Sequence, residues 1–148
     1  MILDKLTQLG TAQAFTESDE KTTFSYDCGN PVVKNRVGTG ERLSVVFVIT
    51  TAAAGDSASI TDTCDFCAVE DTVAALSGST VIIQRRVPAS ELVPGKIIEV
   101  PLPSGKPTKR YLGGQVVLGA SDTLSASSYI IPSDHVQEFT AYAKSYVV

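Results

Sequence analysis

Cys64-Asp-Phe-Cys67 is the one short segment of this chain whose residue types and spacing suggest chemistry. Two thiols separated by two residues serve as a redox pair or as half of a zinc site. The flanking sequence argues against both, because it alternates. Ala58, Ile60, Cys64, Phe66 and Ala68 fall on one face of an extended chain, and Ser57, Ser59, Thr61, Thr63 and Asp65 on the other, with Asp62 the exception. This is the pattern of a half-buried strand over 57–67. Residues three apart in a strand are separated by ~10 Å and point to opposite faces, whereas a disulfide needs Cα atoms within about 4.4–6.8 Å. The two thiols are expected not to meet. A zinc site would need two further ligands, and Cys28 and His135 lack the paired spacing of a ribbon or finger. No metal and no cofactor are expected. Cys64 reads as a small buried apolar residue beside Ile60 and Phe66, and Cys28 as the same on the face of Phe24 and Tyr26.

Other reactive constellations are equally sparse. His135 is the sole histidine, so a Ser/His/Asp or Cys/His unit would have to use a residue beyond the last expected strand. A solvated or interface role suits it better. Gly38-Thr39-Gly40 lacks the third glycine, the preceding strand and the following helix of a dinucleotide loop. Asp19/Glu20 and Glu70/Asp71 are chain neighbours, not the facing carboxylates of a glycosidase. Arg85-Arg86 and Lys106/Lys109/Arg110 are positive spots that protect edges and aid solubility, or pair with a protein partner. No catalytic residue is expected, and the chain is read as a non-enzyme.

The elements that position these residues are strands. Leu43, Val45, Phe47 and Ile49 share one face of 42–51 while Val46 and Val48 lie on the other, which marks a central strand covered on both sides. In 23–28, Phe24, Tyr26 and Cys28 alternate with Thr23, Ser25 and Asp27 as in a half-buried strand. Further β-rich runs are 79–87, 96–102, 110–118 and 123–131, each bounded by Gly, Pro, Ser or Asp. Val93-Pro-Gly-Lys96 has Pro94 preset for the first central position of a type II turn and Gly95 free for the positive φ of the next. No long amphipathic helix separates the strands, which disfavours a parallel sheet. Residues 68–76 read as a short strand or a short helix. About eight antiparallel strands then suit an all-β, two-sheet β-sandwich or jelly roll.

At 148 residues the chain is expected to form one domain with a core of its own. We divide it into an N-terminal arm (1–21), a jelly-roll body (22–132) and a short C-terminal extension (133–148). Ile2, Leu3, Leu6 and Leu9 before Gly10 fit a helical turn with a glycine stop. Asp134 and Gln137 would form a capping box, with Val136, Phe139, Tyr142 and Tyr146 at helical spacing, and an extended tail is the alternative. A net charge of −4 gives little attraction for phosphate backbones or anionic lipid. No nucleic-acid or membrane partner is expected, and no apolar run approaches the ~20 residues that span a bilayer. Three cysteines in no dense framework fit a chain made soluble in a reducing compartment.

The succession PASELVPGKIIEVPLPSGKPTKRYL (88–112), a Gly-containing strand and TLSASSYII (123–131) resembles the jelly-roll capsid cement, or decoration, proteins of tailed phages, of the kind that stabilise podovirus heads. MILDKLTQLGTAQAFT and VGTGERLSVVFVIT (37–50) are similar to the beginning and the first long strand of that family. Gly113-Gly114 and CDFC depart from its pattern. The resemblance implies a structural virion protein made in the host cytoplasm. It would bind the outer surface of the assembled head by bridging major capsid protein subunits, usually as a homodimer over two-fold junctions, and a trimer with intertwined arms also fits the residues. Ile2, Leu3, Leu6 and Leu9 and the tail residues Phe139, Tyr142 and Tyr146 are the candidate capsid or subunit contacts. Packing over the open end of the same sandwich is the alternative for all seven. A carbohydrate-binding or fibre-type jelly-roll module of a phage particle is the second functional reading, though without Trp and with five Tyr and five Phe a flat aromatic sugar platform is hard to assemble.

Overall fold

In the computed structural model, which describes residues 7–16, 19–29, 42–54, 63–119 and 122–136, nine strands form two antiparallel sheets. They are β1 (Gln8–Phe15), β2 (Glu20–Lys21), β3 (Tyr26–Asp27), β4 (Leu43–Ala54), β5 (Thr63–Asp71), β6 (Thr80–Pro88), β7 (Ile97–Pro101), β8 (Tyr111–Val117) and β9 (Thr123–Pro132). One sheet has the order β1-β9-β4-β7 and the other β2-β8-β5-β6, with β3 also on β8. β2 and β3 run along the same neighbour, so together they act as one interrupted edge strand and leave four positions in each sheet. Every connection except β2–β3 and the β5–β6 hairpin passes from one sheet to the other. This is the winding of a jelly roll.

The expected central strand is β4, paired with β9 on one side and β7 on the other. Its Val45, Phe47 and Ile49 face the inter-sheet core, and Val46 packs on the outer face with Ile131 and Val136. A strand buried on both faces has no room for alternation, which is why this run reads as continuously apolar. Phe47 meets Phe66 of β5 across the sandwich, ring centroids 5.2 Å apart and tilted by 60°, a favoured arrangement for aromatic pairs.

Two turns are as the sequence dictates. Lys96 N donates to Val93 O (3.0 Å) and Lys106 N to Pro103 O (3.3 Å), and the glycines at the third positions, Gly95 and Gly105, have φ of +86° and +81°. Gly113-Gly114, unexpected in a strand, is explained by the central place of β8. A Cβ on Gly114 would lie 2.7 Å from Phe47 Cζ and 3.0 Å from Thr22 Cγ2, and one on Gly113 would collide with Leu76 Cδ1 on the opposite face. Both faces approach the backbone too closely for any side chain.

Four expectations need correction. Within the described residues the arm expected over 1–21 is sheet: β1 pairs with β9 and places Leu9 and Phe15 in the core. There is no helical turn ending at Gly10, since Gln8, Leu9 and Gly10 are extended. The strand expected over 23–28 shrinks to Tyr26–Asp27. Thr22 N bonds to Gly114 O at 2.9 Å, but Phe24 N turns to Leu9 O of the other sheet at 2.8 Å, so the alternation breaks and Phe24 is exposed. Residues 68–76 divide between the end of β5 and a turn, and are neither a separate strand nor a helix. Asp134 lies in a 3-10 turn, Ser133–His135, and the capping box expected with Gln137 lies outside the described residues.

Candidate functional site

The cysteine segment lies in the middle of the five-stranded sheet. Cys64, Phe66 and Ala68 face the inter-sheet core as expected, and none of the three described cysteines is in a disulfide. Cys67 faces the other way, yet it is just as buried, in a small apolar cluster with Val69 and Leu76 beside Tyr111 and Val117. Burial, followed by the fields of Asp65 and Asp19, pushes its thiol up to about 11. Cys67 is therefore a protonated thiol at neutral pH, a poor nucleophile and a poor metal ligand.

A strap over residues 72–79 covers Cys67. Asp71 begins it: Oδ1 accepts from Thr72 N (2.6 Å) and Val73 N (3.3 Å), and Oδ2 accepts from Gly78 N (2.9 Å). Burial raises the Asp71 carboxyl, but these backbone donors outweigh it and hold the group below the usual carboxylate range. Leu76, at φ +55°, drops its side chain onto Gly113. Ser25 Oγ donates to Ala74 O at 2.8 Å and ties the strap to the segment between β2 and β3.

Glu70, the adjacent acid, points to the opposite side and is almost fully buried. Its Oε1 accepts from Lys106 Nζ (3.0 Å) and Thr108 Oγ1 (3.0 Å), and Oε2 from Thr108 N (2.6 Å) and Lys109 N (3.2 Å). Burial raises this carboxyl too, and the four donors hold it below its ordinary value. With its acceptor sites filled by the fold, Glu70 fastens the β7–β8 connection to the end of β5.

The basic spots are engaged in the same way. Arg86 forms a two-pronged pair with Asp65 (2.8 and 3.0 Å) and Arg110 another with Asp27 (2.9 and 2.7 Å). The Arg110 hydrogen bonds, followed by that from Gly29 N, hold Asp27 down at about 2. Lys109 Nζ donates to Thr80 Oγ1 at 2.7 Å, and Arg85 Nη1 reaches across the sandwich to Glu99 O of β7 at 3.0 Å. The cations that the sequence offered to a protein partner are bonded within the chain.

Of the seven candidate contact residues the structure describes Leu9, which is buried in the core and unavailable to a partner. Ile2, Leu3, Leu6, Phe139, Tyr142 and Tyr146 lie outside the described residues, as does Gly38-Thr39-Gly40. His135 closes the 3-10 turn after β9. Among the described residues no three His, Cys, Asp or Glu side chains gather where a metal ion could be held, and no helix is long and apolar enough to cross a membrane.

Sequence reasoning missed the exposed apolar surface on the strap side of the molecule. Phe24 is 61% exposed and is the one exposed aromatic among the described residues, and Val73 is 51% exposed. The Ser25–Ala74 bond makes their two segments neighbours. The available signal was charge: residues 72–83 and 22–26 contain no ionisable acid or base other than Tyr26. No known family model matches the sequence, and no curated protein matches it.

Proposed function

We propose that the protein is a capsid cement protein of a tailed phage, which binds the outside of the assembled head and holds neighbouring capsid subunits together. The observation that carries the reading is the coincidence of two patterns. Within the described residues, the segments that resemble the cement family, 37–50, 88–112 and 123–131, fall on β4, β7 with its flanking turns, and β9, and the strand order is that of a jelly roll. The way the ionisable groups are used is consistent with it: Glu70, Asp71, Asp65 and Asp27 each hold a structural hydrogen-bond set.

The mechanism is linkage. A protein that binds the expanded shell and not its precursor or its subunits adds its binding free energy to the expanded state, about 2.7 kcal/mol per site at a hundredfold excess over Kd. Summed over many sites, modest contacts oppose internal pressure and heat. The test is to titrate purified protein onto expanded and unexpanded heads of its phage and to measure co-sedimentation. Saturable binding to expanded heads alone is expected, and absence of binding to them refutes the proposal.

A further inference from the structure

We infer that the patch formed by Phe24, Val73, Ala74 and Ala75 is the surface that docks on the shell; this rests on the cement reading above. Phe24 is held for contact. Its backbone N–H is bonded to Leu9 O of the opposite sheet at 2.8 Å, and the next residue, Ser25, is bonded to Ala74 O at 2.8 Å. An aromatic side chain that is exposed although its backbone is fixed on both sides loses little freedom on binding, which is what makes such residues energetic anchors.

Charge selects the kind of partner. In a chain with 19% charged residues, the two segments that build the patch carry none, and the cations of neighbouring β8 and its approach are held by Asp27, Glu70 and Thr80. Charge depletion around an aromatic centre is the composition of the core of a protein–protein contact. Lys106 and Arg110 are paired with carboxylates, which leaves little positive charge to hold a polyanion or an anionic membrane. Area separates the shell from a second copy of this chain. A stable free dimer needs about 20–30 residues a side, and four apolar residues fall far short. A shell that presents the same small apolar site many times over is served by a contact of this size, because its stabilisation sums over all the copies bound.

The test is saturation co-sedimentation with expanded heads, together with sedimentation velocity of the free protein. It uses wild type, Phe24→Ser combined with Val73→Ser, and Val93→Ser as a control in the turn between β6 and β7, where Val93 is similarly exposed. Thermal unfolding of each variant checks the fold; Ser25→Ala, which frees the strap while leaving the patch residues in place, is the second variant. The double variant should bind at least about tenfold more weakly, Ser25→Ala should fall between it and wild type, and Val93→Ser should stay within about twofold of wild type. If wild type binds and the double variant binds equally well, docking through this patch is wrong and the cement reading stands. Wild type failing to bind expanded heads overturns both. A free wild-type dimer that the double variant converts to monomer, with head binding unchanged, assigns the patch to self-association and also overturns the inference.

Discussion

Replacing Gly114 by alanine adds one methyl group where the two sheets have no space for it. The new Cβ would lie 2.7 Å from Phe47 Cζ, 3.1 Å from Phe47 Cε1 and 3.0 Å from Thr22 Cγ2. Phe47 has no free side to retreat to, since it is fully buried and its ring packs against Phe66, centroids 5.2 Å apart. Thr22 is tied in place as well, because its hydroxyl accepts from Gly114 N at 3.1 Å and donates to Phe24 O at 3.0 Å. Overpacking of this kind costs about 1–3 kcal/mol, and removing a flexible glycine from a strand returns about 0.5–1 kcal/mol. Because neither neighbour can move, the upper half of the overpacking range applies, and the net expectation is a loss of about 1–2.5 kcal/mol, or ~3–7 °C in Tm for a domain near this size. Calorimetry or circular dichroism melting reads it directly. Gly78→Ala is the control: its Cβ would meet only Asp71 Oδ2, at 3.9 Å, and the change should stay within about 0.5 kcal/mol. In a Phe47→Leu background, which removes the atom that clashes, the Gly114→Ala penalty should shrink by at least about 0.5 kcal/mol. A Tm for Gly114→Ala equal to or above wild type would refute the claim that packing dictates this glycine.

Two further perturbations probe the tied carboxylates and the buried thiol. Asp27, Glu70 and Asp71 all have folded pKa values below their ordinary ones, so their contribution to stability is complete above about pH 5 and is lost as pH falls toward the folded values, about 2 for Asp27. The denaturation midpoint should therefore drop between about pH 5 and 2, and Glu70→Gln, which sets an amide N–H₂ against donors that need an acceptor, should lower stability at pH 7 by about 1–3 kcal/mol and flatten that acid limb; an acid limb unchanged by the substitution would contradict the role given to Glu70. Leu76→Ala opens the cover over Cys67 at a cost of about 2–4 kcal/mol, and thiol labelling followed by peptide mapping should then show Cys67 reacting under native conditions while Cys64 stays protected, as both are in wild type. Equal labelling of the two would mean global loosening instead of an opened strap.

The sequence revealed strands wherever one strand pairs regularly with its neighbours. β4 pairs with β9 and β7, β5 keeps its core face at Cys64, Phe66 and Ala68, and the glycines of the Val93–Lys96 and Pro103–Lys106 turns have the backbone their positions require. It was unreadable where backbone bonds change partner. In β1, Gln8-Leu-Gly-Thr-Ala-Gln-Ala-Phe15 shows no period of two because the register against β9 shifts between Gln8 and Gly10 and again between Gly10 and Gln13, with Ala12 at φ +43°. The same logic hid the patch. Phe24 alternates correctly with Tyr26 for a strand face, but its N–H bonds to the other sheet and turns the ring outward. Single-strand periodicity cannot report a bond to a residue in the opposite sheet.

How the fold disposes of its edges narrows where any partner can bind. A jelly roll has four edge strands, and each exposed edge invites another chain to pair with it. Here β1 is bulged twice along its length, and β2 and β3 are separate two-residue pieces. On the other side of the sandwich β7 is five residues long, ends in Pro101 and has its Glu99 carbonyl occupied by Arg85. β6 is interrupted by a register shift opposite Ala68 and Val69, and its Arg86 is folded back onto Asp65. Each is a recognised way to discourage strand addition. With the edges guarded and Arg85, Arg86, Lys106 and Arg110 engaged within the chain, the docking proposed above is left to apolar surface such as the Phe24 and Val73 side of the sandwich. An Arg85→Ala substitution sharpens the point, because it frees the Glu99 carbonyl of β7 without touching the core; if the guards matter, the variant should self-associate in a concentration-dependent way in sedimentation velocity, whereas head binding through the patch should be unaffected.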